Sequence, residues 1–97
     1  MTATKVKKLT KGEENLIEKF KLRDYGDPLS PEKTELRYNP VSGVSCSLNP
    51  FCANLYDQVS AQYAKYERGD YSVVHWYDRL KYLLLKFDVD AYMELVD

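Results

Sequence analysis

Apolar residues recur at two different periods along this chain, and each change of period marks an element. Leu16, Ile17 and Phe20 fall at helical spacing with Glu and Lys between them. Thr10 followed by Glu13 forms a capping-box pattern ahead of them. A first helix over about 11–24 is therefore predicted, ended by Gly26 and Pro28. Residues 24–35 hold two prolines among short polar side chains, which forbids regular structure and predicts a linker. The period then drops to two. Leu36 and Tyr38 alternate before a break, and Val44, Cys46 and Leu48 alternate after it, with Ser45 and Ser47 between. That pattern predicts a β-hairpin over about 36–48. Pro40 presets φ for its turn and Gly43 accepts the positive φ that closes it.

The helical period returns at Asn49, a strong N-cap, and Pro50, which suits the first helical position. Cys52, Leu55, Tyr56, Val59, Tyr63 and Tyr66 step by three and four in one stripe that Gly69 stops. A third helix over about 71–86, capped by Asp70 or Ser72, carries Val73, Trp76, Tyr77, Leu80, Leu83 and Leu84 on its main face. Val74, Tyr82 and Leu85 lie off that face, so this helix is either central or partner-bound. Asp88 caps a short last helix with Val89, Tyr92, Met93 and Val96 as its stripe. The expected fold is α+β: a mainly helical small domain whose one hairpin packs on the antiparallel pair made by the second and third helices. An N-terminal helix and a short C-terminal helix complete it. Residues 1–9 read as a flexible basic tail and 10–97 as a single domain.

Composition narrows the function more than it names it. A chain of 97 residues allows one domain, and 44% hydrophobic with 30% charged residues is a globular balance. Lys plus Arg number 14 against 15 acids, a net charge of −1 that argues against both a strongly basic nucleic-acid binder and a polyanion. One His and two Cys are too few for a standard cysteine/histidine zinc site. No apolar run is long enough to span a membrane, and residues 1–14 lack the apolar run of a signal peptide. A cytoplasmic protein is expected, with Cys46 and Cys52 as reduced, buried thiols. The sequence has no glycine-rich phosphate loop, nucleophile elbow or paired-cysteine motif. His75 with Asp78 lacks a nucleophile, and helix capping accounts for Asp88 and Asp90 beside Glu94 without a metal. Arg68-Gly69-Asp70 reads as a helix stop followed by a cap. The expectation is a chain without catalysis, cofactor, metal or small-molecule substrate.

Two features remain. Tyrosine is abundant, with nine residues, and tyrosines supply large contact area at low entropic cost. Tyr56, Tyr63, Tyr77 and Tyr92 sit on the stripes and read as core-edge residues. Tyr25, Tyr71 and Tyr82 lie off them. The expected docking patch is Tyr71, Val74, Tyr82 and Leu85, for a partner protein or for a second copy of the chain. The other feature is the basic start. Residues 1–23 hold seven bases against Glu13, Glu14 and Glu18. Lys5, Lys7, Lys8 and Lys11 would make phosphate contacts if this arm bound nucleic acid, the second-ranked reading.

Short segments add a resemblance. Tyr38-Asn39-Pro40, Gly43-Val44, Leu48-Asn49-Pro50, Leu55-Tyr56-Asp57, Tyr77-Asp78-Arg79 and the run Asp90-Ala91-Tyr92-Met93-Glu94-Leu95 resemble a group of small orphan proteins encoded by tailed bacteriophages. The resemblance implies a phage origin and work in the bacterial cytoplasm, and it brings no activity or site residue with it. The expected function is a non-catalytic interaction factor that binds and modulates a host protein, such as a defence or replication component. A minor virion or assembly component is the third reading.

Overall fold

The computed structural model describes residues 8–96. Local rules set the first element. In α1 (Lys11–Lys19) the Thr10 hydroxyl accepts from the Glu13 amide, and the Glu13 carboxylate accepts from the Thr10 amide. This helix stops short of the predicted end at residue 24. Lys21 takes the left-handed conformation (φ 54°), and Leu22–Tyr25 forms a 3-10 turn. The reason lies in the position of Leu22. At about 100° per residue it falls nearly opposite the Leu16–Ile17–Phe20 face. A continuous helix would turn it to solvent, whereas the break lets it become fully buried.

Residues 26–34 form the expected irregular segment, and one side chain fastens it. Buried Asn49 caps the next helix by accepting from the Cys52 amide at 2.7 Å. Its own amide group donates to the carbonyls of Pro28 and Ser30 at 3.1 and 3.0 Å.

The hairpin pairs β1 (Glu35–Tyr38) with β2 (Ser45–Leu48) in antiparallel register. The Asn39 amide donates to the Val44 carbonyl and the Gly43 amide to the Asn39 carbonyl, both at 2.8 Å. Gly43 has φ 78°, as its turn requires. Residues paired across the two strands share a face. Arg37 opposite Cys46 and Glu35 opposite Leu48 therefore face the protein, and Leu48 is fully buried. Leu36 and Tyr38 share the outer face with Ser47 and Ser45, leaving them 47% and 59% exposed. The apolar positions of the two strands are out of phase across the turn.

Three helices follow: α2 (Pro50–Glu67), α3 (Val74–Phe87) and α4 (Val89–Leu95). A 3-10 turn, Tyr71–Val73, precedes α3, and Gly69 (φ 99°) ends the run of α2. The hairpin rests on α2, as expected, but its second support is α4 rather than α3. Arg37 clasps Asp57 of α2 through two bonds of 2.8 and 2.9 Å, and the Tyr56 hydroxyl donates to the Tyr38 carbonyl. The Asn39 side chain donates to the Glu94 carbonyl of α4. α3 is instead covered by α1. Phe20 meets Trp76 edge-on, and the Lys19 ammonium lies 4.8 Å from the centre of a Trp76 ring.

Every helix and β2 contribute to one core, from Ile17 and Leu48 through Phe51, Leu55, Leu80 and Leu84 to Ala91 and Leu95. Leu9 packs on its margin, so the fold begins inside the segment expected to be tail. No helix among the described residues is long and apolar enough to cross a membrane.

Candidate protein-binding surface

α2 is 18 residues long, and of its last eight residues only Gln62 is buried. Tyr56, Ser60, Tyr63 and Glu67 follow one another at helical spacing on the face beside the core face. From there a row of rings runs across three elements. Tyr77 of α3 lies 5.6 Å from Tyr63, Tyr63 stacks on Tyr66 at 6.4 Å, and Tyr66 meets Tyr71 edge-on at 5.1 Å. Tyr71 is 66% exposed, Tyr63 45% and Tyr66 39%, while Tyr77 is half-buried. Ring pairs at these distances attract each other by about 0.5–1.5 kcal/mol beyond area burial. The row is therefore ordered by its own contacts while its outer side stays open to solvent.

The polar tips differ in what they bind. Tyr56 uses its hydroxyl on the Tyr38 carbonyl. The negative charge of Glu67, and a hydrogen bond to its carboxylate, hold the Tyr63 phenol above its usual range. The hydroxyls of Tyr66, Tyr71 and Tyr77 have no hydrogen-bond partner among the described residues. At Tyr63 and Tyr77 the row opens into a cleft of about 720 Å³, bounded by Pro40 and Val41 of the hairpin loop, by Tyr56 and Glu67, and by Leu95 and Val96.

The sequence-derived docking residues divide between two places. Tyr71 belongs to this row through its contact with Tyr66. Val74, Tyr82 and Leu85 share the outer face of α3 by their helical spacing. Val74 and Tyr82 are exposed there, and Leu85 is half-buried. That face carries a charge pair, Asp78 with Lys81 at 3.8 Å, and the Lys81 ammonium lies about 5 Å from the ring centres of both Tyr77 and Tyr82. The period of α2 places Tyr63 and Tyr66 on its apolar stripe, yet both are exposed. Period gives a side of a helix, not how far along it a cover extends. The readable signal was Tyr66 and Tyr71 flanking the Gly69 stop, which a tight turn brings together.

Of the basic arm, Lys5 and Lys7 lie outside the described residues, and Lys8 and Lys11 are exposed. The Lys86 ammonium reaches this region from α3, bonding the Lys8 carbonyl and the Glu13 carboxylate, the latter at 2.7 Å. Partial burial pushes the Glu13 carboxyl up, but the bonds to Lys86 and Thr10 outweigh it and leave the group below its usual range.

Both cysteines are free; Cys52 is buried and Cys46 half-buried. Burial, reinforced by the charge of Asp88, pushes the Cys52 thiol up to about 12, and the same causes raise Cys46. Neither is a thiolate at neutral pH. His75 lies against Trp76, and Asp78 bonds Lys81 rather than the histidine. Asp88 caps α4 through the Ala91 amide and faces Lys33 at 3.7 Å. No group of three or more His, Cys, Asp or Glu among the described residues is placed to hold a metal ion.

Comparison with known proteins finds no match: no family model, no curated sequence and no solved structure matches the chain.

Proposed function

We propose that this chain is a protein-binding module that docks through its row of tyrosines, and that, in keeping with its resemblance to small phage proteins, the partner is a bacterial host protein it modulates by occlusion. The observation that carries the reading is the row itself: Tyr71, Tyr66, Tyr63 and Tyr77 in mutual contact, three of them more than a third exposed. Rings already ordered lose little freedom on binding, and buried aromatic anchors dominate interface energies. Hydroxyls without internal partners supply hydrogen bonds where an aliphatic patch would not. The outer face of α3 with Tyr82 is a rim in this reading, because the Asp78–Lys81 pair interrupts it.

The test compares single alanine variants against a partner captured from host lysate and then purified. Tyr66→Ala and Tyr71→Ala are expected to weaken binding by about 2 kcal/mol each, whereas Tyr82→Ala costs less than about 1 kcal/mol. If Tyr82→Ala is the damaging change and the row is neutral, docking runs through α3 and the reading is wrong.

A further inference from the structure

We infer that the open edge of β2 takes an extended segment of a partner protein as a third strand, with lysine or arginine at alternate positions of that segment. This edge shares no residue with the tyrosine row, so it is a second interaction surface. The Asn39–Val44 bond fixes the phase of the hairpin ladder. In an antiparallel pair, hydrogen-bonded and non-bonded residue pairs alternate. Arg37 with Cys46 and Glu35 with Leu48 therefore exchange the ladder bonds. Leu36 and Tyr38 on β1, and Ser45 and Ser47 on β2, turn their amides and carbonyls away from the neighbouring strand.

The two edges differ in what is left open. On β1 both outward carbonyls are taken. That of Leu36 accepts from the Arg37 guanidinium at 3.0 Å, and that of Tyr38 from the Tyr56 hydroxyl at 3.2 Å. On β2 the amides of Ser45 and Ser47 and the Ser45 carbonyl have no partner among the described residues. The Ser47 carbonyl meets only the Cys46 thiol, a weak donor, at 3.6 Å. Both serines are exposed, and neither brings the charge or the proline that blunts an edge. An added strand bonds all four of these groups.

Charge selects the strand. α4 packs against β2. Beyond burial, the charges of Asp88, Glu94 and Asp90 raise the Cys46 thiol, and only Lys33 opposes them. Asp88 is occupied by its cap and by Lys33. The carboxylates of Asp90 and Glu94 are exposed, one helical turn apart, and without a partner among the described residues. Like charges at that spacing repel each other. In an antiparallel addition the residues opposite Ser45 and Ser47 point outward, and the residue opposite Cys46 points to the side that α4 occupies. Lysine or arginine at that position, and at its alternates, relieves the repulsion. A second copy suits the edge poorly, because pairing β2 with β2 about a two-fold axis brings the acids of both α4 helices together.

The test uses the full chain labelled with nitrogen-15 and followed by NMR. Its probes are a seven-residue peptide alternating threonine with lysine, the same peptide with glutamate for lysine, and two forms of the lysine peptide N-methylated at the threonines or at the lysines. With the lysine peptide, saturable shifts and at least tenfold slower exchange are expected at the Ser45 and Ser47 amides. The glutamate peptide should leave both unchanged. Methylation at the threonines, whose amides bond the serines in an antiparallel addition, should abolish binding, whereas methylation at the lysines should not. Asp90→Asn together with Glu94→Gln should weaken the lysine peptide about tenfold, with the melting temperature within a few degrees of the unaltered chain. No effect at Ser45 and Ser47 at millimolar peptide, or equal binding of both methylated forms, overturns the added strand. Equal binding of the glutamate peptide overturns the basic ligand. Ser45 and Ser47 amides already protected in the free chain, whether or not dilution releases them, mean that the edge is filled by the chain or its copy, and overturn the partner segment.

Discussion

Single residues carry much of this fold, and two buried polar side chains show opposite economies. Asn49 satisfies every polar atom of its side chain: its oxygen caps α2, and its amide group holds two carbonyls of the preceding segment. Asn49→Ala should cost about 2–3 kcal/mol, the cap plus two buried hydrogen bonds. Asn49→Asp should recover little of that loss, because it keeps the acceptor and loses both donors; chemical denaturation of the two variants checks this. Gln62 is also buried, yet its side chain has no hydrogen-bond partner among the described residues. Gln62→Met should therefore raise stability by about 1 kcal/mol, read from the same denaturation curves. The thiols give a pH signature. Cys52 is neutral in the folded state up to about pH 12, against an ordinary value of 9.0. Folding thus favours the protonated thiol, so its contribution is complete below pH 9 and is lost as pH rises from 9 toward 12. A thiol reagent at pH 8 should label Cys46 slowly and Cys52 only on unfolding. The Asn49 cap and the buried Cys52 are readable in the sequence, the first from its place before Pro50 and the second from its stripe. The staple to Pro28 and Ser30 is not, because it joins residues about twenty positions apart with no local pattern to announce it.

At the scale of elements, periodicity locates helices and strands but not where they break or which way they face. All four helices and both strands of the hairpin are legible from spacing and caps. The early end of α1 is not, because Lys21 is an ordinary helix former and the break there serves the burial of Leu22. A lysine held at φ 54° costs about 1 kcal/mol that glycine would not. Lys21→Gly should stabilise by several tenths of a kcal/mol, measurable as a rise in melting temperature, whereas the same change inside α1 would destabilise. The hairpin shows the second limit. Leu36 and Tyr38 alternate as strand residues should, yet the register set by the Asn39–Val44 turn points them outward. What faces inward on β1 is Arg37, held by Asp57. Arg37→Ala should loosen the hairpin from α2 by about 1–2 kcal/mol, seen as faster amide exchange in β1 and β2 than in α2.

Over the whole molecule, α1 and the hairpin divide the helical core between them. α1 covers α3 on one side through Trp76, and the hairpin covers α2 and α4 on the other. The end of α2 and the turn into α3 lie beyond both covers, and the tyrosines collect there. The arrangement explains why the docking residues expected from sequence split apart. Periodicity reports exposure one helix at a time, whereas the open area arises between α2, the Tyr71–Val73 turn and α3. It also makes the central claim separable from stability, since Tyr66 and Tyr71 add little to the core. The most direct measurement is calorimetric: the affinity of one purified partner for the folded double variant Tyr66→Ala, Tyr71→Ala, relative to the unaltered chain. A loss of a hundredfold or more, with the melting temperature nearly unchanged, is the expected result. Equal affinities for the two proteins would contradict the claim that this chain acts through its tyrosine row.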